Sequence, residues 1–361
     1  MLSNNEVLSK TITFLRLPLI IAVVFIHTNL DKVNIGGKFL ISQGQFPLHD
    51  MLNQLLSEEF ARIAVPLFFF MSGFLFFRQS EFSLSVYKAK LKKRIHTLLI
   101  PYVFWNIVVL FLIFLTQTFL SSMTSGMSKL ITEYTLSDWF RVFWNHKDNM
   151  PVCYQFWFIR DLMVVILCSP LVYGIVSYGK VASIVFLGIL WCFDIWFDVI
   201  GLNIAAFFFF SFGAWFAVSK NNFIVKFKPF RMSFSFLYLL IVVADIFCKN
   251  NELHHLSFLH NLGIIFGLIA VISWTAYGIE RQKLKCSTWL AGSSFFIYAY
   301  HGMPIAFLNK YWVKQIQPAS ELTMILGYLI LPFVVVGFGL VLYYFMQKFF
   351  PRFTSFITGG R

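Results

Sequence analysis

Apolar stretches long enough to cross a membrane recur along almost the whole chain, and they restrict the possible folds more than any other feature. A transmembrane helix needs roughly 17 to 25 mostly apolar residues, and ten stretches of about this length can be counted in the sequence. We therefore predict an all-α fold, a polytopic transmembrane helix bundle of about ten spans. The predicted spans are 12–30, 61–78, 98–120, 156–176, 181–199, 203–219, 232–248, 259–279, 287–309 and 322–348.

The composition excludes an ordinary soluble domain. Hydrophobic residues make up 58% of the 361 residues and charged residues 12%, against roughly 25% charged residues in soluble domains. A net charge of +13 would suggest a nucleic-acid ligand in a soluble protein, but here the basic residues lie between apolar spans, so we expect no nucleic-acid partner. The five cysteines are odd in number and lack metal-ligand spacing, so we expect them to fill apolar space and to bind no metal.

The basic residues also predict the topology. They concentrate after the second, sixth and eighth spans, which lie on one face if the spans alternate, and the positive-inside rule assigns that face to the cytoplasm. An even number of spans places both termini there, and the opposite face carries two long loops, 31–60 and 121–155. We interpret residues 1–361 as one integral-membrane domain with a retained first helix and no appended soluble domain. The basic residues in question are Lys88, Lys90, Lys92, Lys93, Arg94, Lys220, Lys226, Lys228, Arg231, Arg281, Lys283 and Lys285.

Ionisable groups inside the first span are the first candidates for a functional site, because such groups are costly in lipid. Arg16 and His27 are eleven residues apart, so on one helix they share a face with ~16 Å of axial rise between them. A shared face favours a common polar crevice. The alternative is that Arg16 snorkels to the cytoplasmic headgroups while His27 lies among the outer headgroups.

Two further polar groups fall near the predicted outer face. Trp157, Arg160 and Asp161 open the fourth span, and the two charged residues diverge by ~100° on a helix, so each needs a partner elsewhere. Tyr298 and His301 lie where the ninth span is loosened by a glycine and a proline. Alternatively, the first group is an interfacial ion pair with its tryptophan, and His301 is hydrogen-bonded to a neighbouring helix.

Two candidates lie near the predicted cytoplasmic face. Ser72 and Gly73 mark a point of close backbone approach in the second span, for which helix packing is the competing explanation. Arg94, at the start of the third span, would suit an anionic cytoplasmic ligand, although such a basic stretch also serves topology alone.

Taken in order, these segments resemble the membrane-bound acyltransferase-3 family, bacterial enzymes that O-acylate glycans and other envelope molecules. The resemblance extends almost from end to end of the chain. It rests on an Arg followed after ten residues by His (Arg16, His27), and on "PLFFFMSGFLFF", "KKRIHTLLIPYVFWN", "FWFIRDLMVVILCSPL" and "SSFFIYAYHGMPI".

The resemblance implies a multi-pass enzyme of the bacterial cytoplasmic membrane that takes an acyl group from cytoplasmic acyl-CoA. The acceptor would be a hydroxyl of an extracytoplasmic envelope polysaccharide or glycolipid. Acetyl is the expected group and succinyl the alternative. The essential Arg and His of the family's first helix correspond to Arg16 and His27. Many relatives carry a fused periplasmic esterase-like domain that this sequence lacks, which leaves open whether a separate protein completes the transfer.

The residue chemistry agrees with that activity. A neutral imidazole at His27 can take the proton of an attacking hydroxyl as general base, and Asp161 could orient the ring. Arg16 and Arg94, with Ser72, would hold the acyl-CoA donor. The outer pocket for the acceptor would be formed by Trp157, Arg160, Tyr298 and His301.

Two other classes of function use the same features. A transporter or flippase for an anionic lipid or sugar would use the buried charges as a path, but it would favour inverted repeats and paired broken helices, which the sequence does not present. A sensor or an assembly scaffold is the third class of function, but the sequence shows no recognisable signalling segment that would support it. A homodimer is compatible with every one of these interpretations.

Overall fold

Helices dominate the computed structural model, which describes residues 2–42, 44–79, 81–119, 129–316 and 319–360. Helices account for 79% of the described residues, so the predicted all-α class is confirmed. A short antiparallel hairpin, β1 (Asn34–Ile35) and β2 (Lys38–Phe39), lies in the first long loop. The first residues of the second long loop, 121–128, lie outside the described residues, as does the last residue of the predicted span 98–120.

The α-helices of the described residues are α1 (Asn4–Ile26), α2 (Pro47–Asn53), α3 (Ala64–Phe77), α4 (Leu84–Arg94), α5 (Ile100–Phe119), α6 (Leu136–Trp144), α7 (Trp157–Leu167), α8 (Ser169–Cys192), α9 (Ile204–Val218), α10 (Phe223–Phe227), α11 (Arg231–Asn250), α12 (Phe258–Glu280), α13 (Thr288–Tyr300), α14 (Gly302–Gln315), α15 (Glu321–Phe349) and α16 (Pro351–Thr358).

Each predicted span contains a helical segment, but the ends and lengths differ from the prediction, since residues 27–30 and 193–199 are not helical. Among the described residues, seven continuous helical stretches are long and apolar enough to cross a membrane, against about ten predicted. The difference of three has three causes. α8 forms one of the seven stretches although it holds parts of two predicted spans, 156–176 and 181–199, because α7 before it has 11 residues. α9 has 15 residues, and the ninth predicted span is divided by a turn between α13 and α14. The seven stretches are Asn4–Ile26, Pro47–Phe77, Leu84–Phe119, Ser169–Cys192, Phe223–Asn250, Phe258–Glu280 and Glu321–Phe349. Three of them join α-helices through short π- or 3₁₀-helical segments: Gln54–Phe60 and Ala61–Ile63, Ile95–Leu99, and Lys228–Phe230.

A break inside α8 lies close to a predicted span boundary. Lys180 has a non-helical backbone conformation, with φ 48° and ψ −132°, and positive φ is uncommon for a residue with a side chain. The sequence predicted one span to end at residue 176 and the next to begin at residue 181. The backbone therefore interrupts the helix where the hydropathy pattern does.

The chain folds into two compact units. The first unit comprises Met1–Leu19, Glu59–Lys93 and Asp161–Ala291, and the second comprises Ile20–Glu58, Arg94–Arg160 and Gly292–Arg361. α1 contributes residues to both units.

The first unit is built around a close approach of α3 and α9. A Cβ atom on Gly73 would lie 1.9 Å from the carbonyl oxygen of Phe210, and one on Gly213 would lie 1.9 Å from that of Phe70. Small residues at helix crossings allow such close approach, which supplies van der Waals contact where lipid removes the hydrophobic driving force. These two glycines therefore set the distance between the two helices.

The second unit is tied together by hydrogen bonds from aromatic side chains to backbone carbonyl groups. Trp105 on α5 donates to the carbonyl of Ile357 on α16 at 3.0 Å, and Trp312 on α14 donates to that of Thr323 on α15 at 3.1 Å. Each bond satisfies a polar group that lipid could not solvate.

In the second long loop, a capping box begins α6. The Thr135 hydroxyl accepts from the backbone N–H of Asp138, and the Asp138 carboxylate accepts from that of Thr135. The hydrogen bond from Lys129, at 2.6 Å, together with those from Thr135, holds the pKa of the Asp138 carboxyl well below its usual range. The carboxylate is therefore charged at neutral pH, as an acceptor at a helix N-terminus should be.

Candidate functional site

His27 lies directly after the first helix. α1 ends at Ile26, earlier than the predicted span 12–30, and the backbone N–H of His27 donates to the carbonyl of Val24 at 3.1 Å. The Thr28 hydroxyl also bonds that carbonyl, at 2.9 Å, so the last turn is closed by local polar groups. The imidazole of His27 is half-buried, and a position outside the helical ladder leaves its orientation to tertiary contacts.

Tertiary contacts bring His27 against a second histidine and a tyrosine. The rings of His27 and His301 are 5.4 Å apart with planes inclined by 33°. Tyr154 meets His27 edge-on at 4.9 Å. His301 occupies the turn between α13 and α14 and is fully buried. The site is thus formed by three segments of the second unit that are far apart in sequence.

The hydrogen bonding of His301 fixes which ring nitrogen carries the proton. Its Nδ1 lies 2.7 Å from the carbonyl oxygen of Tyr298, and a carbonyl only accepts, so Nδ1 is the N–H donor. In the neutral ring, Nε2 then carries a lone pair. This Nε2 is buried and has no hydrogen-bond partner among the described residues. The arrangement presents an unused proton acceptor within the wall of the site.

A set of contacts holds this histidine turn in place. Gln155 donates to the carbonyl of Ala299 at 3.0 Å, and the Tyr298 hydroxyl donates back to the carbonyl of Gln155. Gly302 leaves room for the Gln155 amide, whose Oε1 would lie 2.5 Å from a Cβ at that position. Tyr298, predicted to line the acceptor pocket, is buried and orients the backbone beside His301.

The end of the first helix is fixed from two sides. Asn309 on α14 donates to the carbonyl of His27 at 3.1 Å. Ser57 donates to the carbonyl of Phe25 at 2.8 Å and shares a 2.7 Å hydrogen bond with the Tyr328 hydroxyl. The Phe25 carbonyl also accepts from the backbone N–H of Thr28 at 3.0 Å, so Ser57 adds a second bond there. The His27 carbonyl lies past the end of the helix, where Asn309 supplies a partner. These bonds restrict the backbone that carries the His27 ring.

Tyr154, Gln155 and Asn309 are contributors that the sequence reasoning missed. Tyr154 and Gln155 immediately precede the family motif "FWFIRDLMVVILCSPL", which begins at Phe156. Their position next to this motif was the sequence feature that could have indicated their role. Asn309 is a polar residue at the end of the predicted ninth span, on the same helix as Gly302. Single polar residues of this kind have no distinctive pattern, so their role becomes apparent through contacts in three dimensions.

Arg160 organises the second loop. Its guanidinium donates at 2.7 Å to each of two backbone carbonyls, those of Trp144 and Asn149, and lies 5.6 Å from the Trp144 ring centre. The sequence predicted that this charge needs a partner away from its own helix, and these carbonyls supply one. Trp157, the first residue of α7, is half-buried.

The remaining predicted site residues are divided between the units. Arg94 belongs to the second unit and is half-buried at the end of α4. Arg16, Ser72 and Asp161 belong to the first unit. There Asp161 is buried, whereas Arg16 and Ser72 are half-buried. Of the nine predicted residues, the second unit brings His27, His301 and Tyr298 into one cluster.

A different cluster in the first unit has metal-ligand chemistry. Ligand atoms of Glu59, Asp245 and His260 all lie within 4.8 Å of one another. The Lys249 ammonium group lies between the two carboxylates, 2.5 Å from Glu59 and 2.9 Å from Asp245. An ammonium group in that position competes directly with a metal cation for the same oxygens.

Comparison with known proteins gives this architecture a family. The chain is 29% identical, over 180 residues, to the succinoglycan biosynthesis protein ExoH of Rhizobium meliloti (strain 1021). The match covers 50% of this chain and 46% of the relative, so the chain spans about half the length of the curated relative that it matches. No solved structure matches the chain. The family model Acyl_transf_3, described as an acyltransferase domain, matches residues 10–344, and this multi-pass membrane protein therefore belongs to the acyltransferase-3 family, as its motifs predicted.

Proposed function

We propose that this protein is a membrane O-acyltransferase that moves an acyl group, expected to be acetyl, from cytoplasmic acyl-CoA to a hydroxyl of an extracytoplasmic polysaccharide or glycolipid. The observation that carries the proposal is the pair of His27, which is half-buried, and His301, which is buried and whose Nε2 has no hydrogen-bond partner among the residues that the structure describes. Family membership supports the acyl transfer. The similarity to a succinoglycan biosynthesis protein favours a polysaccharide acceptor.

The chemistry needs a base at the acceptor hydroxyl. An unactivated alcohol attacks a thioester slowly, and a neutral imidazole accelerates the attack by accepting the hydroxyl proton as the new C–O bond forms. The C–S bond of the thioester then breaks, and the leaving thiolate receives that proton, which yields an ester and free CoA. We assign the base to His27. His301 would hold the first ring in place and keep a lone pair beside it.

On the donor side, we expect Arg16→Gln and Arg94→Gln each to weaken CoA binding by about tenfold, because charge-assisted hydrogen bonds to phosphate contribute roughly 1.5–3 kcal/mol. Affinity would be measured by isothermal titration of the purified protein in nanodiscs. Arg78→Gln is the matched control, since Arg78 is exposed at the end of α3. Unchanged affinity in both site variants would remove these arginines from the donor site.

The function itself is tested by comparing the cell-envelope glycans of strains with and without the protein by mass spectrometry. We expect the loss of one acyl substituent, an acetyl group by its mass, in the strain without it. Purified protein in proteoliposomes should also transfer radiolabelled acetyl from acetyl-CoA to that deacylated glycan. If the glycan or a lipid moves between leaflets in the absence of acyl-CoA, and no acyl group is transferred, the protein is a transporter and the proposed enzymatic function is wrong.

A further inference from the structure

A polar cavity lies in the first unit, and its lining includes none of the residues assigned to catalysis above. Its volume is about 610 Å³, within the 300–1,000 Å³ typical of sites for small ligands. It is formed where α8 and α11 end and where α9 and α12 begin. The predicted topology assigns these helix ends to the extracytoplasmic face.

A charged cluster forms one wall of this cavity. Asp245, Lys249 and His260 line it, and Nδ1 of His260 lies 3.0 Å from the Asp245 carboxylate. Glu59, which pairs with Lys249, has a side chain that is 4% exposed, and that of Asp245 is 2% exposed. The side chains of Lys249 and His260 are partly exposed. Charges buried to this extent are expensive unless they are paired or serve a function.

The charge of the cluster restricts the chemistry of a ligand. Two carboxylates face one ammonium group and one imidazole, so the cluster has a net charge between −1 and zero, depending on the protonation of His260. Asp194, exposed at the rim, adds a further negative charge. Such a lining repels phosphates and carboxylates. A cationic ligand would have to displace the Lys249 ammonium group from both carboxylates, so the lining favours a neutral ligand with many hydrogen-bonding groups.

Two amide side chains extend the hydrogen-bonding capacity of the cavity. Asn203 uses its Oδ1 to cap α9, at 2.8 Å from the N–H of Ala205, which leaves its NH₂ group as a donor. Asn261 uses its NH₂ group on the carbonyl of Trp191, at 3.1 Å, which leaves its oxygen as an acceptor. Trp191 also lines the cavity, and an aromatic wall with a few convergent polar groups is typical of sites for small polar ligands.

We propose that this cavity binds a neutral sugar residue, with Asn203, Asn261 and the Asp245–Lys249–His260 cluster bonding its hydroxyl groups and Trp191 covering an apolar face. The assignment of that sugar to the acceptor polysaccharide rests on the proposed function. The binding itself does not, because it is measured without an acyl donor.

The test uses the full-length protein in nanodiscs and three probes: cellotetraose, a galactose disaccharide and an N-acetylglucosamine tetramer. Ala205→Phe fills the cavity from a half-buried position on its wall, so it blocks the site without disturbing the charged cluster. Ala182→Phe, at an exposed position of the same unit, is the matched control. Tryptophan fluorescence and isothermal titration report binding, and thermal unfolding shows that each variant is folded.

We expect saturable binding of at least one probe, weakened about tenfold or more by Ala205→Phe and unchanged by Ala182→Phe. Absence of saturable binding to all three probes would overturn the proposal, as would equal affinity in the two variants. Binding of Zn²⁺ or Ca²⁺ in place of sugar would overturn it in favour of a metal site at Glu59, Asp245 and His260. If sugar binds as expected but the wild-type protein does not transfer acetyl, the proposed function is wrong and the proposal of a sugar site is still supported.

Discussion

His27→Gln is expected to reduce kcat for acyl transfer by about a thousandfold while leaving the affinity for CoA unchanged. General-base catalysis typically contributes 10²–10⁴-fold, and glutamine preserves size and polarity without a basic nitrogen. The measurement is the initial rate of acetyl transfer at saturating donor, together with CoA titration of the same preparation.

His301→Gln provides a comparison of the two rings. If His27 is the base and His301 positions it, His301→Gln lowers kcat less than His27→Gln does and shifts the pH dependence of the rate, because the neighbouring lone pair is lost. His255→Gln, at an exposed position, should match the wild type. Full activity of His27→Gln would contradict the assigned role, and a larger loss in His301→Gln would transfer the role of base to His301.

Gly213→Ala is expected to destabilise the first unit strongly, although it adds a single methyl group. The new Cβ would lie 1.9 Å from the carbonyl oxygen of Phe70 and 2.8 Å from the backbone nitrogen of Phe74. Both are backbone atoms, so the clash is relieved only if α3 and α9 separate. Overpacking typically costs 1–3 kcal/mol and occasionally more, and we expect a loss of about 3 kcal/mol.

The measurement is the midpoint of thermal unfolding in detergent, followed by the loss of monodisperse protein on size-exclusion chromatography. Gly73→Ala, on the opposing helix, should behave in the same way, since its Cβ would meet the carbonyl of Phe210 at 1.9 Å. Gly174→Ala is the control, because no atom outside its own helix lies within 4 Å of a Cβ there. If Gly213→Ala and Gly174→Ala have the same midpoint of thermal unfolding, α3 and α9 do not approach each other as closely as described above.

Several features of the fold follow from local sequence. The apolar stretches predict an all-α membrane protein, because lipid admits backbone only where its polar groups are bonded internally. The break near Lys180 and the turn at His301 were both indicated by the pattern of residues. The exact ends of helices were not, since α1 stops at Ile26 and not at residue 30, where side-chain and backbone hydrogen bonds close its last turn.

Part of the membership of the candidate site could be predicted from the sequence, but its arrangement could not. The cost of burying ionisable groups singled out His27 and His301 from sequence, and their motifs led to the family. The contributions of Tyr154, Gln155 and Asn309 were not predicted, because a single uncharged polar residue near a helix end has many structural uses. The ion pair of Glu59 with Lys249 was not predicted either, since 190 residues separate the two.

The sequence by itself determined that this chain lies in a membrane as helices, and which of its residues are too polar to face lipid. Those properties depend on the free energy of transferring each side chain and each turn of backbone from water into lipid. This free energy is determined by the local sequence. The tertiary structure decided that His27 meets His301, and that a polar cavity forms beside Asp245, Lys249 and His260. It also left the Nε2 of His301 without a hydrogen-bond partner in the described part of the chain. These outcomes depend on which distant segments pack together, because a hydrogen bond or ring contact between them exists only after the helices have associated.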